Sequence, residues 1–318
     1  MEKIAEFPSS LYHPGISSPV LSHWGSIPKI STTTLSGLAL TDTLSTRDGR
    51  LQLVLGARHQ QIKVDKFNSQ TGAKTSGYNK SAVTPGLGII LKAKDHLSVY
   101  GNYIEALQQG PTASSNAVNA GEVFSPYKAK QYEVGVKLDS GLYGATLSAF
   151  QIEQPSGQID PDTRMYGLDG EQRNRGLELN IFGEPVKGTR LLGGFMLLDG
   201  KLVRTANGAN DGNTAAGAPR WTATLGVEWD TPFQPDLTLT ARAVYNGSQY
   251  LDNTNTQKIA SWTRLDVGAR YSFQHNGTPI TIRATVANAL NKRYWQGISG
   301  GLTIGQGRTW LLSATMEL

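Results

Sequence analysis

Residues 307–318 read GRTWLLSATMEL, and their alternation decides the fold. Trp310, Leu312, Ala314, Met316 and Leu318 fall on one side; Thr309, Leu311, Ser313, Thr315 and Glu317 fall on the other. A period of two is the mark of a strand with two unlike faces. The sequence stops on that strand, with no polar tail or charge cluster after it. In a closed barrel the last strand must pair with another, so the final residues can be structural.

The same alternation recurs upstream. RLQLVLGAR (50–58), QYEVGVKLD (131–139), GLELNI (176–181) and WTATLGVEW (221–229) each set aliphatic residues against polar ones. LTLTARAVY (237–245), RLDVGARYSF (264–273) and ITIRATVAN (280–288) do likewise. With weaker runs included, the pattern predicts about thirteen strands. They lie near 34–46, 50–66, 80–93, 96–109, 127–139, 142–154, 171–184, 189–204, 220–230, 237–250, 261–274, 279–290 and 307–318. The connections alternate in length. Short ones such as RDG (47–49), SG (140–141), PVKG (185–188) and HNGT (275–278) carry hairpin residues. Between them lie long polar stretches near 67–79, 110–126, 155–170, 205–219, 251–260 and 291–306. Two-faced strands with short turns at one end and long loops at the other describe an outer-membrane barrel. The short-turn end then places residue 318 in the periplasm.

Composition supports strands. Among 318 residues only 38% are hydrophobic and 17% charged, yet 12 Tyr, 8 Phe and 6 Trp argue against disorder. No Cys is present, which excludes disulfides and thiolate metal sites. No run approaches the ~18 apolar residues of a spanning helix. The net charge of +5 is scattered along the chain, not clustered as nucleic-acid binding requires. The start, MEKIAEFPSSLYHPG, is not a signal peptide.

In lipid the apolar face points outward and the polar face lines the lumen. Arg58, Glu133, Lys137, Arg173, Arg175, Glu178, Arg242, Arg264, Asp266, Arg270, Arg283 and Glu317 are expected mostly on that lumenal face. Facing lipid, Arg or Lys would cost roughly 2–4 kcal/mol each. Trp221, Trp229, Trp262, Phe273 and Trp310 fit interfacial girdles, with a sandwich core as the alternative. Enzyme signals are poor. His13, His23, His59, His96 and His275 lack metal-ligand spacing. The Gly-rich GISGGLTIGQG (297–307) lacks the Lys-Ser/Thr of a phosphate loop and reads as a flexible outer loop.

Several stretches also resemble one family. SGLALTDTLSTRDGRLQLVLGARHQ (36–60) and GYNKSAVTPGLGIILKAKDHLSVYGNYIEALQQG (77–110) look like mid-barrel segments of TonB-dependent siderophore receptors. SPYKAKQYEVGVKLD (125–139) is similar to the family's Lys-x-x-Gln-x-Glu-x-Gly strand, and RNRGLELNIFGEPVKGTRLLGGFMLLDGKL (173–202) to its Arg-x-Arg-Gly-x-Glu hairpin. ITIRATVANALNKRYW (280–295) and GQGRTWLLSATMEL (305–318) resemble its last two strands, although Leu318 stands where an aromatic usually closes the family. The resemblance covers about 31–318. It implies an all-β, antiparallel transmembrane barrel of about 22 strands, of which these are the C-terminal part. Residues 1–30 then read as the remnant of an extracellular loop, with the N-terminal plug, TonB box and early strands absent from these residues.

The resemblance further implies uptake of a ferric siderophore across the Gram-negative outer membrane. The plug would be held by the lumenal charges and coupled to the TonB-ExbB-ExbD complex. Outer-membrane lipid and the barrel-assembly machinery are the other expected partners. No cofactor and no protein metal ligand are expected, because iron arrives caged in the siderophore; a hydroxamate chelate is the class suggested. Phe124, Tyr127, Tyr166, Tyr250, Tyr294 and Trp295 are loop aromatics suited to a bulky organic chelate, or to the upper girdle. The chain alone is not expected to transport. Competing readings are a plug-free porin or adhesin barrel and a soluble β-rich binding module.

Overall fold

The computed structural model describes residues 28–298 and 301–317. Most of the expected leading loop (1–27), residues 299–300 and Leu318 lie outside the described residues. Thirteen strands form one antiparallel sheet in which each pairs with the next along the chain. The first eight are β1 (Ser31–Ser45), β2 (Leu51–Phe67), β3 (Lys74–Lys94), β4 (Leu97–Gln108), β5 (Tyr127–Asp139), β6 (Tyr143–Ile159), β7 (Tyr166–Val186) and β8 (Thr189–Arg204). They continue through β9 (Trp221–Asp230) and β10 (Leu237–Asn246). Two small hairpins interrupt the meander without joining it: β11 (Gln249–Tyr250) with β12 (Lys258–Ile259), and β15 (Trp295–Ile298) with β16 (Gly301–Ile304). The remaining wall strands are β13 (Trp262–His275), β14 (Thr278–Ala287) and β17 (Thr309–Met316). Among the described residues β1 and β17 are the two edges of the sheet.

Hairpin chemistry sets one rim. Between β13 and β14 only Asn276 and Gly277 intervene, at φ 52° and 80°. Both central residues at positive φ make the turn whose twist matches the strands it joins, and Asn-Gly tolerates it.

Register defines the faces. Gly101, Val134, Ala149, Leu177, Leu197 and Trp221 stand in one row across β4–β9. Val134 is 62% exposed, Leu177 48% and Leu197 40%. So broad an apolar surface is stable only against lipid. Trp229 and Trp221 end the apolar face of β9; at about 3.3 Å per residue and ~40° of tilt they are ~20 Å apart in height, close to a hydrocarbon band. Trp221 stacks on Tyr245 at 3.9 Å, and Tyr103 lies 5.1 Å from Tyr132. Trp229 meets Phe233 edge-on, and Tyr271 stacks on Phe273. These are two belts. Trp262 belongs to neither: it shares the face of Arg264, is buried, and stacks on Tyr294 at 4.2 Å.

Several strands outrun their alternation. β3 begins at Lys74, β6 runs to Ile159 and β7 starts at Tyr166. Lys63 pairs with Asn79 and Asp65 with Gly77 there. Beyond the lipid the outward face turns polar, so backbone pairing continues where the alternating apolar signal stops. The Gly-rich stretch expected to be a flexible loop contains the β15–β16 hairpin, with Trp295 opposite Ile304. A small apolar core of Ile62, Val64 and Tyr78 sits at the long-loop end, where the Gly110 amide donates to the Tyr78 hydroxyl at 3.0 Å.

Candidate functional site

Two carboxylates mark the lumenal face of β4–β7. Gly135 stands opposite Tyr100, and Ser148 pairs with Glu178. A Cβ on Gly135 would meet the Tyr100 ring at 2.6 Å, so only glycine lets the ring lie across β5. From there the Tyr100 hydroxyl donates to Glu133 at 2.5 Å, and Gln131 donates to the other Glu133 oxygen at 3.0 Å. Asn180 donates to Glu178 at 2.9 Å. Among the described residues neither carboxylate has a cationic partner within an ion pair. Neutral donors therefore orient two negative charges toward the lumen and leave them unneutralised.

Nearer the short-turn rim the charges are paired. Arg190 donates to both Asp230 oxygens at 2.6 and 2.7 Å and to Glu228 at 3.2 Å. Arg270 reaches Glu228 at 3.4 Å, while Asp230 also accepts from Thr238 at 2.8 Å. The forked Arg190 of β8 grips two carboxylates of β9, and Thr238 and Arg270 carry the network on to β10 and β13. Arg190 was not among the residues expected here, although its alternation with Leu191 was visible in TRLLGG (189–194). Arg58, Arg242, Arg270 and Arg283 all occupy lumenal registers. Arg242 stands opposite Asp266, and Arg283 donates to Thr315 at 3.4 Å.

Arg173 and Arg175 do not share that face. They pair with Glu153 and Gln151 and alternate in phase with Leu177, Leu179 and Ile181. Arg175 donates to Gln151 at 2.5 Å. The period of two that places Glu178 in the lumen places both arginines on the outer wall, above the last aliphatic row.

At the long-loop rim, Phe124, Tyr127 and Tyr166 come together. The Phe124 and Tyr166 rings are 5.5 Å apart, and Tyr127 lies beside Tyr166. The loop 109–126 is held there by Asn119, whose Oδ1 accepts from the Tyr166 amide at 2.8 Å. Tyr250 sits elsewhere, in the β11–β12 hairpin, with the Lys258 ammonium 5.4 Å from its ring centroid. That hairpin's loop is sewn to the loop 205–220: Asn255 exchanges bonds with Thr214, and Asn213 donates to the Asn253 carbonyl at 2.9 Å. Within it Asp252 accepts from Thr254, Thr256 and two backbone amides, which holds its carboxyl well below the usual range.

Tyr294 is only 5% exposed, stacked on Trp262, so its ring offers little surface to a ligand. Trp295 is half-buried at the start of β15. The motif NALNKRY (288–294) is organised by Asn288, which is 1% exposed at φ 51°. Its side-chain amide donates to the carbonyls of Lys292 and Gln306, both at 2.9 Å, and accepts from the Lys292 amide at 2.8 Å. Its backbone amide donates to Asp266, which pairs with Arg264 at 3.0 Å. The sequence offered the motif but not its role, since Gln306 is remote along the chain. Among the described residues no group of three or more His, Asp or Glu could hold a metal ion.

A family model described as TonB dependent receptor-like, beta-barrel, matches residues 8–289. The chain belongs to the TonB-dependent receptor β-barrel family. It is 41% identical to the ferrichrome receptor FcuA of Yersinia enterocolitica, over 97% of this chain and 42% of that protein. It is 28% identical to the probable TonB-dependent siderophore receptor PiuA of Acinetobacter baumannii, over 83% of this chain and 38% of PiuA. The crystal structure of BauA, the ferric preacinetobactin receptor of the same organism, superposes with a TM-score of 0.79 at 42% identity. That match covers 95% of this chain and 47% of BauA. The chain thus spans less than half the length of these relatives. Membership of this family makes the apolar face a lipid-facing wall of the Gram-negative outer membrane.

Proposed function

We propose that these strands form the C-terminal wall of a TonB-dependent receptor that takes up a ferric siderophore. The observation that carries the reading is the 41% identity to FcuA, a receptor named for ferrichrome, across 97% of the chain. The open edges at β1 and β17 agree with a wall that needs further strands, since unpaired backbone is not tolerated in hydrocarbon. In this reading Glu133 and Glu178 receive cations of a plug that fills the lumen, with Arg58, Arg242, Arg270 and Arg283 taking its acidic or carbonyl groups. The plug couples to the TonB-ExbB-ExbD complex. Phe124, Tyr127 and Tyr166 supply an aromatic cluster for the organic shell of the chelate, with Tyr250 and Trp295 on neighbouring loops. Iron stays inside the siderophore and is cargo.

The test joins the part of FcuA that this chain does not match to residues 1–318 and expresses the chimera in a receptor-null strain. Radiolabelled ferrichrome uptake that disappears in a TonB-null background is the expected result. A surface-exposed, heat-shiftable chimera that accumulates no iron from ferrichrome or from a panel of other ferric siderophores refutes the reading. Residues 1–318 expressed alone should give no energy-dependent uptake.

A further inference from the structure

Gln249 is the residue at which three segments of the long-loop rim meet. It opens the β11–β12 hairpin opposite Ile259, and both residues are buried, at 7% and 2% exposure. A buried carboxamide has to be satisfied by hydrogen bonds, and its partners decide which end is oxygen. Here the nitrogen donates to the Gly217 carbonyl at 3.1 Å, and the oxygen accepts from the Gly297 amide at 3.3 Å. Gly217 lies in the loop 205–220 and Gly297 in β15. One side chain therefore spans from the loop after β8 to the hairpin after β14.

The surroundings are shaped to this joint. The Gly217 amide donates to the Tyr250 carbonyl at 2.8 Å, so both polar groups of its backbone are tied to β11. Gly217 stands at φ 76°, a conformation that favours glycine. A Cβ on Gly297 would come within 2.6 Å of the Gln249 carboxamide and push it out of place. The Thr214 amide donates to Asn255 at 2.9 Å and the Ala216 amide to Asn253 at 3.1 Å. Those bonds close the seam between the loop 205–220 and the β11–β12 hairpin, and Gln249 carries it on to β15.

We propose that Gln249 is a positioning residue for the ligand: by holding these three segments as one unit, it presets Tyr250 and Trp295 in a single arrangement before the chelate arrives. Tyr250 follows Gln249 directly, and Trp295 lies two residues before Gly297 on β15. The carboxamide thus fixes the backbone beside each aromatic. The inference rests on the transport reading, because the siderophore is what those aromatics meet. Hairpins that moved independently would have to be ordered on binding, at a cost in affinity that a preset pair avoids. The apparent affinity falls with the fraction of molecules in which the segments are docked.

The first arm of the test needs no ligand. Hydrogen exchange is read on the refolded 318-residue chain in detergent micelles, with a heat-shiftable electrophoretic band to check the fold. Gln249→Met keeps the length of the side chain without its hydrogen bonds, and should speed exchange of the Ala216, Gly217 and Gly297 amides about tenfold or more. Gln249→Glu still accepts from the Gly297 amide but sets a carboxylate against the Gly217 carbonyl. It should speed Ala216 and Gly217 and spare Gly297, a separation that a side chain merely filling space would not produce. The second arm is ferrichrome uptake by the FcuA chimera. Gln249→Met should raise the half-saturating ferrichrome concentration about tenfold, and by more than it lowers the maximal rate. Exchange within threefold of wild type in a folded Gln249→Met, or the same loosening in both variants, would overturn the proposal. So would an unchanged half-saturation in a variant whose loops have loosened. A wild-type chimera that takes up no ferric siderophore would overturn the transport reading and the ligand role of Gln249 with it, and the exchange pattern would still decide whether Gln249 joins the loops.

Discussion

Replacing Asn288 by Ala should release the loop 288–308 while leaving the wall intact. The Asn288 side chain makes three hydrogen bonds, to the Lys292 carbonyl, the Gln306 carbonyl and the Lys292 amide. At 1% exposure, no water replaces them without the loop opening. Each lost bond costs about 1 kcal/mol net, and more where a buried partner is stranded. Alanine at φ 51° adds roughly 1 kcal/mol that asparagine largely avoids. The sum is about 4 kcal/mol, or close to a thousandfold in the local opening equilibrium. Asn288→Gly loses the same bonds but not the backbone term, so it should be milder by about 1 kcal/mol. Hydrogen exchange in detergent micelles reads this directly. The Lys292 and Gly305 amides, which the folded loop protects, should lose protection in N288A, while amides of β5–β8 should not change. A Lys292 amide that exchanges within threefold of wild type would refute the reasoning. Equal loss across β5–β8 would also refute it, because it would make Asn288 a determinant of the whole sheet.

Two further outcomes follow from faces and loops. Leu179→Arg, on the lipid face of β7, should cost roughly 2–4 kcal/mol in reversible urea unfolding from vesicles, whereas Asn180→Arg, one residue on and lumenal, should cost well under half of that; equal costs would mean the faces are wrongly assigned. The Asp252 carboxyl is held low first by the Thr254 and Thr256 hydroxyls and then by the Gln257 amide. A depressed folded value means its contribution is present above the unfolded carboxylate range and is lost only as pH falls through the folded value. Exchange of the Thr256 and Gln257 amides should therefore stay protected at pH 4, after correction for intrinsic rates, and loosen only in stronger acid. Asp252→Asn should remove that acid dependence, and an unchanged profile in the variant would point to another group.

The wall was legible because its causes are local. Alternation in LTLTARAVY and RLDVGARYSF follows from the pleat, and Asn276-Gly277 carries its turn conformation in its own residue types. The strand ends were less legible at Lys74, Ile159 and Tyr166. There the pairing outlasts the lipid, and backbone hydrogen bonds leave no mark on side-chain polarity. Arg173 and Arg175 are a different case. Their phase with Leu177 is written in RNRGLELNI (173–181), where alternation puts them on the aliphatic side although their charge suits the lumen.

Sequence by itself determined the antiparallel meander, the short-turn rim and the side of each strand that meets lipid, because each depends on residues within one strand or hairpin. Only the tertiary structure decided what lies between distant segments. It brought Phe124 against Tyr166, sewed Asn255 to Thr214, spread Arg190 over Asp230 and Glu228, and buried Tyr294 under Trp262. Those contacts join segments some 30 to 40 or more residues apart. Each is fixed by strand register and loop packing, which no local periodicity encodes.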